Sequence, residues 1–202
     1  MKVKIIMDEI AYDKLLKIKT TGRDDSNADQ YRFPYEPTPY SVLERLANRG
    51  YIGKKNTLID YGCGKGRVGL FLSYQTRCHS IGIEYDERIY AAAAANKENG
   101  VSGRRCEFAL GAAERYAVPP ETDRFFFFNP FSVEVLGSVM TRISESYYES
   151  PREMLFFFYY PSEEYMNYLQ NHAEIELLEE IDCSDLFEGE NPREKIAVYR
   201  FA

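Results

Sequence analysis

From residue 56 onward, short apolar runs alternate with stretches of helical period. Strand-like runs cover 56–61, 79–84, 105–110, 124–128 and 154–160. Between and after them the spacing predicts helices over 67–73, 87–99, 133–148 and 163–171, with a closing strand pair at 175–181 and 196–201. Strands that alternate with helices read as parallel strands joined by crossover helices. The expected fold is therefore α/β: a doubly wound, mostly parallel seven-stranded sheet with helices on both faces. The aromatic runs 125–128 and 156–160 are continuous rather than alternating, as strands covered on both faces require.

The first fifty residues read differently. Ile10, Leu15, Leu16 and Ile18 stand among charges over 8–19, which predicts an amphipathic helix, and the polar stretch 20–30 reads as a linker. Pro34, Pro37 and Pro39 then exclude helix from most of 31–40 and favour extended backbone. Thr38 followed by Pro39 predicts an N-cap and first-turn proline for a helix through Val42, Leu43, Leu46 and Ala47 that stops at Gly50. The chain thus divides into a helical and extended N-terminal extension, 1–50, and an α/β domain, 51–202.

Composition narrows the classes. With 202 residues, 45% hydrophobic and 28% charged, the chain suits one domain with a full core. No apolar run reaches the length of about 18 residues that a membrane span needs, and the charges in 1–10 do not suit a signal peptide. Cys63, Cys78, Cys106 and Cys183 form no C-x-x-C pair, and His79 and His172 are isolated. No metal site is expected, and a reduced, cytoplasmic chain is. A net charge of −7 argues against a broad nucleic-acid-binding surface. Arg45, Arg49, Lys54 and Lys55, like Arg104 and Arg105, read as solvated surface or a local basic rim.

The chemistry concentrates in Leu58-Ile59-Asp60-Tyr61-Gly62-Cys63-Gly64-Lys65-Gly66-Arg67. A chain leaving a buried parallel strand must turn sharply and let a ligand approach its backbone, and glycine permits both. A dinucleotide fingerprint, G-x-G-x-x-G, would need glycine at position 67, where Arg67 stands, and no phosphate-cradling G-x-x-x-x-G-K-[ST] string occurs. The D-x-G-x-G-x-G pattern present resembles motif I of the class I S-adenosylmethionine-dependent methyltransferases.

That resemblance implies S-adenosyl-L-methionine as cofactor, cradled by Gly62, Gly64 and Gly66. It implies that Asp60 anchors the loop and the cofactor's ammonium end. It also implies a second acid at the end of the next strand that accepts bonds from the ribose hydroxyls; Glu84, 24 residues after Asp60, has that place. Ile83 and Tyr85 flank it, set to pack on sugar and adenine. The third strand ends Leu110-Gly111-Ala112-Ala113-Glu114, with Ala112 where the family often has an acid. The adenine amino group then falls to Glu114, or to backbone and packing. Tyr35 and Thr38 lie in the segment where the family commonly has a cofactor lid; the alternative is an ordinary packed extension.

Phe128-Asn129-Pro130-Phe131-Ser132 resembles the N-P-P-Y/F motif of methyltransferases that modify planar amino nitrogens. Such a nitrogen has a conjugated, poorly nucleophilic lone pair. Two acceptors, the Asn side-chain oxygen and the backbone carbonyl that follows, steer it toward tetrahedral geometry while an aromatic ring stacks on the substrate. Asn129, Pro130 and Phe131 are the catalytic candidates, although Phe131 holds the place of the second proline and Ser132 that of the aromatic. A plain strand-ending turn is the competing reading. Tyr159 and Tyr160, ending the fifth strand, read as core or as a wall of the acceptor pocket. The Pro-Thr-Pro helix start ahead of Gly-Lys-Gly-Arg also resembles small protein-lysine methyltransferases. The resemblance as a whole implies methyl transfer to an acceptor nitrogen in a nucleic-acid base, a protein side chain or a small metabolite. A non-catalytic S-adenosylmethionine-binding module is the alternative from another class; a nicotinamide oxidoreductase is a third, and Arg67 argues against it.

Overall fold

The computed structural model describes residues 8–24 and 33–202. Most of the expected linker, with Tyr31 and Arg32, lies outside the described residues, as do residues 1–7. Seven strands form one sheet: β1 (Thr57–Tyr61), β2 (His79–Glu84), β3 (Cys106–Leu110), β4 (Arg124–Phe127), β5 (Leu155–Tyr159), β6 (Ile175–Asp182) and β7 (Lys195–Phe201). Their order is β3-β2-β1-β4-β5-β7-β6. The first five run parallel, and β7 inserts antiparallel between β5 and β6. The helices are α1 (Glu9–Leu16), α2 (Tyr40–Ala47), α3 (Arg67–Thr76), α4 (Glu87–Asn99), α5 (Val133–Glu149) and α6 (Glu163–Gln170). This is the doubly wound α/β fold that the alternation predicts. Chain order reverses beside β1, so a crevice opens outside the carboxyl ends of β1 and β4, where such sheets bind ligands.

The two aromatic runs supply both faces at once. Phe125, Phe127, Phe156 and Phe158 pack under α5 and α6, whereas Phe126, Phe157 and Tyr159 pack under α1, α2 and α3. Across neighbouring strands the rings stack as a ladder: Tyr61 on Phe127 at 5.1 Å and Phe127 on Phe158 at 4.7 Å between centroids. Offset stacking adds to burial at each rung.

The start of α2 differs from expectation. The residue before the helix is Pro39, and no side chain caps it. Tyr40 N–H donates instead to Glu9 Oε1 at 3.0 Å, from α1. The helix ends at Ala47 with Asn48 as its cap, before Gly50 is reached. A distant glutamate replaces the local cap because α1 and α2 are drawn together by a shared buried charge.

That charge is Arg67, in the first turn of α3 and 2% exposed. Its guanidinium donates to Thr20 Oγ1 (2.7 Å), to the Thr38 carbonyl (3.1 Å), to Thr21 Oγ1 (3.3 Å) and to the Glu9 carboxylate. It also lies 4.2 Å from the centroid of the Tyr40 ring. Asp13 closes the network, accepting from the Thr20 hydroxyl and Tyr40 OH at 2.6 Å each, and from the amides of Thr20 and Thr21. Burial alone would raise the Asp13 carboxyl; these bonds hold it below the usual carboxylate range.

A carboxyl held low in the folded state adds stability above its unfolded pKa, about 3.9, and loses it as pH falls through the folded value. Asp13→Asn is therefore expected to lower unfolding stability at pH 7 by roughly 3 kcal/mol, and by much less near pH 2.5. Thermal melts of both proteins at the two pH values test this; an equal deficit at both would exclude the ionised carboxylate as the stabilising group.

Candidate active site

Directly after β1 the chain turns through Gly62 (φ +71°) and Gly64 (φ +56°), a backbone that other residues resist. Space demands glycine there as well. A Cβ on Gly62 would come within 2.4 Å of Pro130 Cβ, and one on Gly64 within 2.1 Å of the Tyr35 ring. The loop is thus clasped between the end of β4 on one side and the N-terminal segment on the other. Gly66, beneath the Phe108 ring, starts α3.

A cleft of about 1000 Å³, counted out to its open mouth, lies above these strand ends. It is lined by Asp60, Gly62, Glu84, Tyr85 and Glu114, by Tyr35 and Thr38, and by Pro130 and Phe131. Nine of the twelve residues singled out in the sequence therefore share one cavity. Gly64, Gly66 and Asn129 do not line it. Residues 33–38 cross the mouth: Tyr35 pairs with Asp24 through two 2.9 Å backbone bonds, Phe33 N–H donates to the Pro130 carbonyl at 3.3 Å, and Tyr35 OH donates to the Thr20 carbonyl at 2.6 Å.

Asp60 is the chemically distinctive group. It is 3% exposed, and its Oδ2 has no hydrogen-bond partner within the described structure. Burial, then the nearby Glu84 charge, pushes its carboxyl up to about 8. A buried, unpartnered acceptor on a cleft marks a place for a cation or hydrogen-bond donor. Glu84 accepts from Gly64 N–H at 2.9 Å and Asp86 N–H at 2.8 Å. Burial raises its carboxyl too, against the pull of those backbone bonds. Each of its oxygens keeps a lone pair for a further donor. Ile83 is buried in the cleft wall and Tyr85 is exposed at its edge. A 3-10 turn over Ala113–Arg115 carries Glu114 into the cleft, past Ala112. This set of residues fits S-adenosylmethionine: a buried carboxyl that the ammonium would ionise on docking, a second carboxyl for the ribose diol, and an apolar wall for the adenine.

The catalytic candidates are placed otherwise. Asn129, at φ +39°, donates from Nδ2 to the Tyr160 carbonyl at 2.5 Å and accepts at Oδ1 from Ser162 N–H at 3.1 Å. Its carboxamide ties the end of β4 to the end of β5. The Pro130 carbonyl is taken by Phe33. Each acceptor of the amino-steering arrangement thus already holds one bond within the chain, and Asn129 does not line the cleft. Phe131 is 4% exposed and packs edge-on against Tyr61 and Phe127, so it forms a wall and not a stacking platform. Tyr159 is buried with its hydroxyl on Glu194 at 2.8 Å, and Tyr160 OH accepts from Asn191 Nδ2 at 2.9 Å. Neither tyrosine lines the cleft. Sequence reasoning missed Phe33, Glu36 and Phe128 as lining residues and Arg67 as the anchor of the N-terminal segment. The only local signal for Arg67 was a charge in the first turn of an otherwise apolar helix.

Solved structures share this architecture. The chain superposes on a putative methyltransferase, yhhF, from Escherichia coli over 89% of its length and 98% of that chain, with a TM-score of 0.64 and 18% identity. It also superposes on an RNA methyltransferase from Salinibacter ruber, solved with S-adenosyl-L-homocysteine, over 82% and 92% of the two chains, with a TM-score of 0.52 and 18% identity. This is the class I methyltransferase fold. Among curated proteins, a protein-lysine N-methyltransferase of Saccharolobus islandicus is 36% identical over 73 residues, a match that spans 35% of this chain and 45% of that relative. No family model matches. In the methyltransferase fold the glycine loop, Asp60 and Glu84 occupy the ends of β1 and β2, where the crevice opens.

A carboxyl whose pKa rises on folding stabilises fully only below its unfolded value and loses that contribution as pH climbs through the folded value. The ligand-free protein should therefore lose stability from about pH 4 to pH 8 on account of Asp60. Asp60→Asn is expected to melt close to the wild type at pH 4 and well above it at pH 8. Melting temperatures that stay parallel across this range would show that Asp60 ionises normally.

Asn129→Ala leaves the half-buried Ser162 amide without its acceptor and the Tyr160 carbonyl with Arg193 alone, and is expected to cost about 1–3 kcal/mol in chemical denaturation. A loss of turnover with unchanged stability would instead restore its direct catalytic role.

Proposed function

We propose that this chain transfers a methyl group from S-adenosylmethionine to the side-chain nitrogen of a protein lysine. The observation that carries the cofactor half is Asp60, a buried carboxyl whose Oδ2 has no partner among the described residues, beside Glu84 in a cleft floored by the glycine loop. When bound, the cofactor supplies a methyl carbon activated by its sulfonium sulfur, and the sulfur leaves as a thioether with the bonding electrons. The chain's own residues then have to bind, align and exclude water. Asp60 and Glu84 grip the two polar ends, Tyr85 and Glu114 border the base, and residues 33–38 act as the lid, in keeping with a division at about residue 50.

Two observations favour an aliphatic amine over a planar amino group. Asn129 does not line the cleft, and its Oδ1 and the Pro130 carbonyl each already hold a bond, from Ser162 and Phe33. The curated relative is named for protein lysine. A lysine ammonium needs no such pair; it must lose a proton, and its ordinary pKa is about 10.4. The rate with a lysine peptide is thus expected to rise steadily from pH 7 toward pH 10. Four free, buried cysteines suit a reducing compartment such as the cytoplasm, and no helix among the described residues is long and apolar enough to cross a membrane.

Titration calorimetry with S-adenosylmethionine and with NAD, followed by transfer of labelled methyl to lysine-rich protein and to nucleic acid, tests the reading. Binding of the first ligand alone, with label in lysine, is expected, and Glu84→Gln should weaken that binding about tenfold or more, as loss of charged hydrogen bonds does. Tight binding without label in any acceptor would mark a binding module instead.

A further inference from the structure

The cleft has two ends. Asp60, Glu84 and Glu114 occupy the side of β1, β2 and β3. Glu36 lies on the lid, which is fastened to the end of β4 by the Phe33 N–H bond to the Pro130 carbonyl at 3.3 Å, where the Phe128 ring packs on Tyr159 at 4.7 Å between centroids. Glu36 lines the cleft with Phe33 and Phe128. Its carboxylate is held by Arg23, Nη1 to Oε2 at 3.3 Å, with both side chains 56% exposed. The backbone bridge between Asp24 and Tyr35 sets Arg23 and Glu36 beside one another.

A pair this exposed contributes little to stability and exchanges partners readily. The other cations at this segment are placed elsewhere: Lys65 Nζ lies 4.8 Å from the centroid of the Tyr35 ring, and Arg88 pairs with Asp24 at 2.8 Å. Arg193 is turned inward, its guanidinium 4.2 Å from the Tyr160 ring centroid and bonded to the Tyr160 and Pro161 carbonyls. Glu36 is therefore the carboxylate that the lid segment presents at the cleft.

We infer that Glu36 selects a cationic acceptor and that Arg23 is its internal stand-in, displaced when the acceptor's ammonium docks. This rests on the lysine reading above. It sets the two residues in opposition: Glu36 is a binding residue for the acceptor, and Arg23 competes with that acceptor.

Steady-state methylation of a lysine-containing basic peptide, at saturating S-adenosylmethionine, reads this out. Glu36→Gln is expected to raise the peptide KM several-fold, and Arg23→Ala to lower it, with kcat and cofactor affinity moving little. Both shifts should shrink as salt rises from 50 mM to about 500 mM. If both variants move KM in one direction, or change cofactor affinity together, the pair merely fastens the lid and the inference is overturned. An unchanged KM in Glu36→Gln overturns it alone, while the lysine reading stands. A wild-type protein that binds the cofactor but never labels the peptide overturns the lysine reading and, with it, this inference.

Discussion

A guanidinium buried to 2% exposure must have its hydrogen bonds satisfied and its charge matched, and in this molecule everything that does so comes from the first forty residues. Arg67 begins the helix that follows the glycine loop. The segment that answers it, from Glu9 through Thr20 and Thr21 to Thr38, is therefore folded back over that loop. Leaving such a cation without its acids would cost several kcal/mol, far more than a loose flap gains by lying down. The extension accordingly shares one hydrophobic core with the sheet: Tyr12, Leu16, Tyr40 and Leu43 pack with Phe71, Phe126 and Phe157.

That arrangement explains the packing over the glycines. Tyr35 lies against Gly64 because the strap that carries it is fixed at Thr20 and at Thr38. Pro130 lies against Gly62 because the β4 turn is fixed by Asn129, whose carboxamide bridges to the β5 turn. Both strand ends leave the sheet in left-handed conformations, Asn129 at φ +39° and Tyr160 at φ +50°. Asparagine tolerates that backbone far better than tyrosine. Tyr160 is kept there by Asn129, Asn191 and Arg193 together. The turns that end β4 and β5 are thus fastened to one another by bonds within the chain. A shared fold leaves the acceptor open.

Nearly all of the sheet was legible because its signals are local. Apolar runs of strand length, helical periods between them and two unbroken aromatic runs leave little choice of architecture, and the observed bounds differ from the expected ones by no more than three residues at any end. The glycine loop, Asp60 and Glu84 were legible for a related reason: their spacing belongs to a single strand–helix–strand unit. The bonds that Asn129 makes were not legible, because a side chain's residue type does not say which way its hydrogen bonds run. Its partners, Tyr160 and Ser162, stand some thirty positions away in sequence and meet it only across two strand ends.

Local patterning by itself determined the α/β class, the strand count and the place of the cofactor-type loop, since period, turn chemistry and motif spacing act over tens of residues at most. Only the tertiary structure decided that Arg67 anchors the N-terminal strap, that Glu36 reaches the cleft and that Asn129 serves the scaffold. Each of those outcomes depends on groups from distant segments meeting in space, and no one-dimensional pattern records which distant group will come within hydrogen-bonding reach.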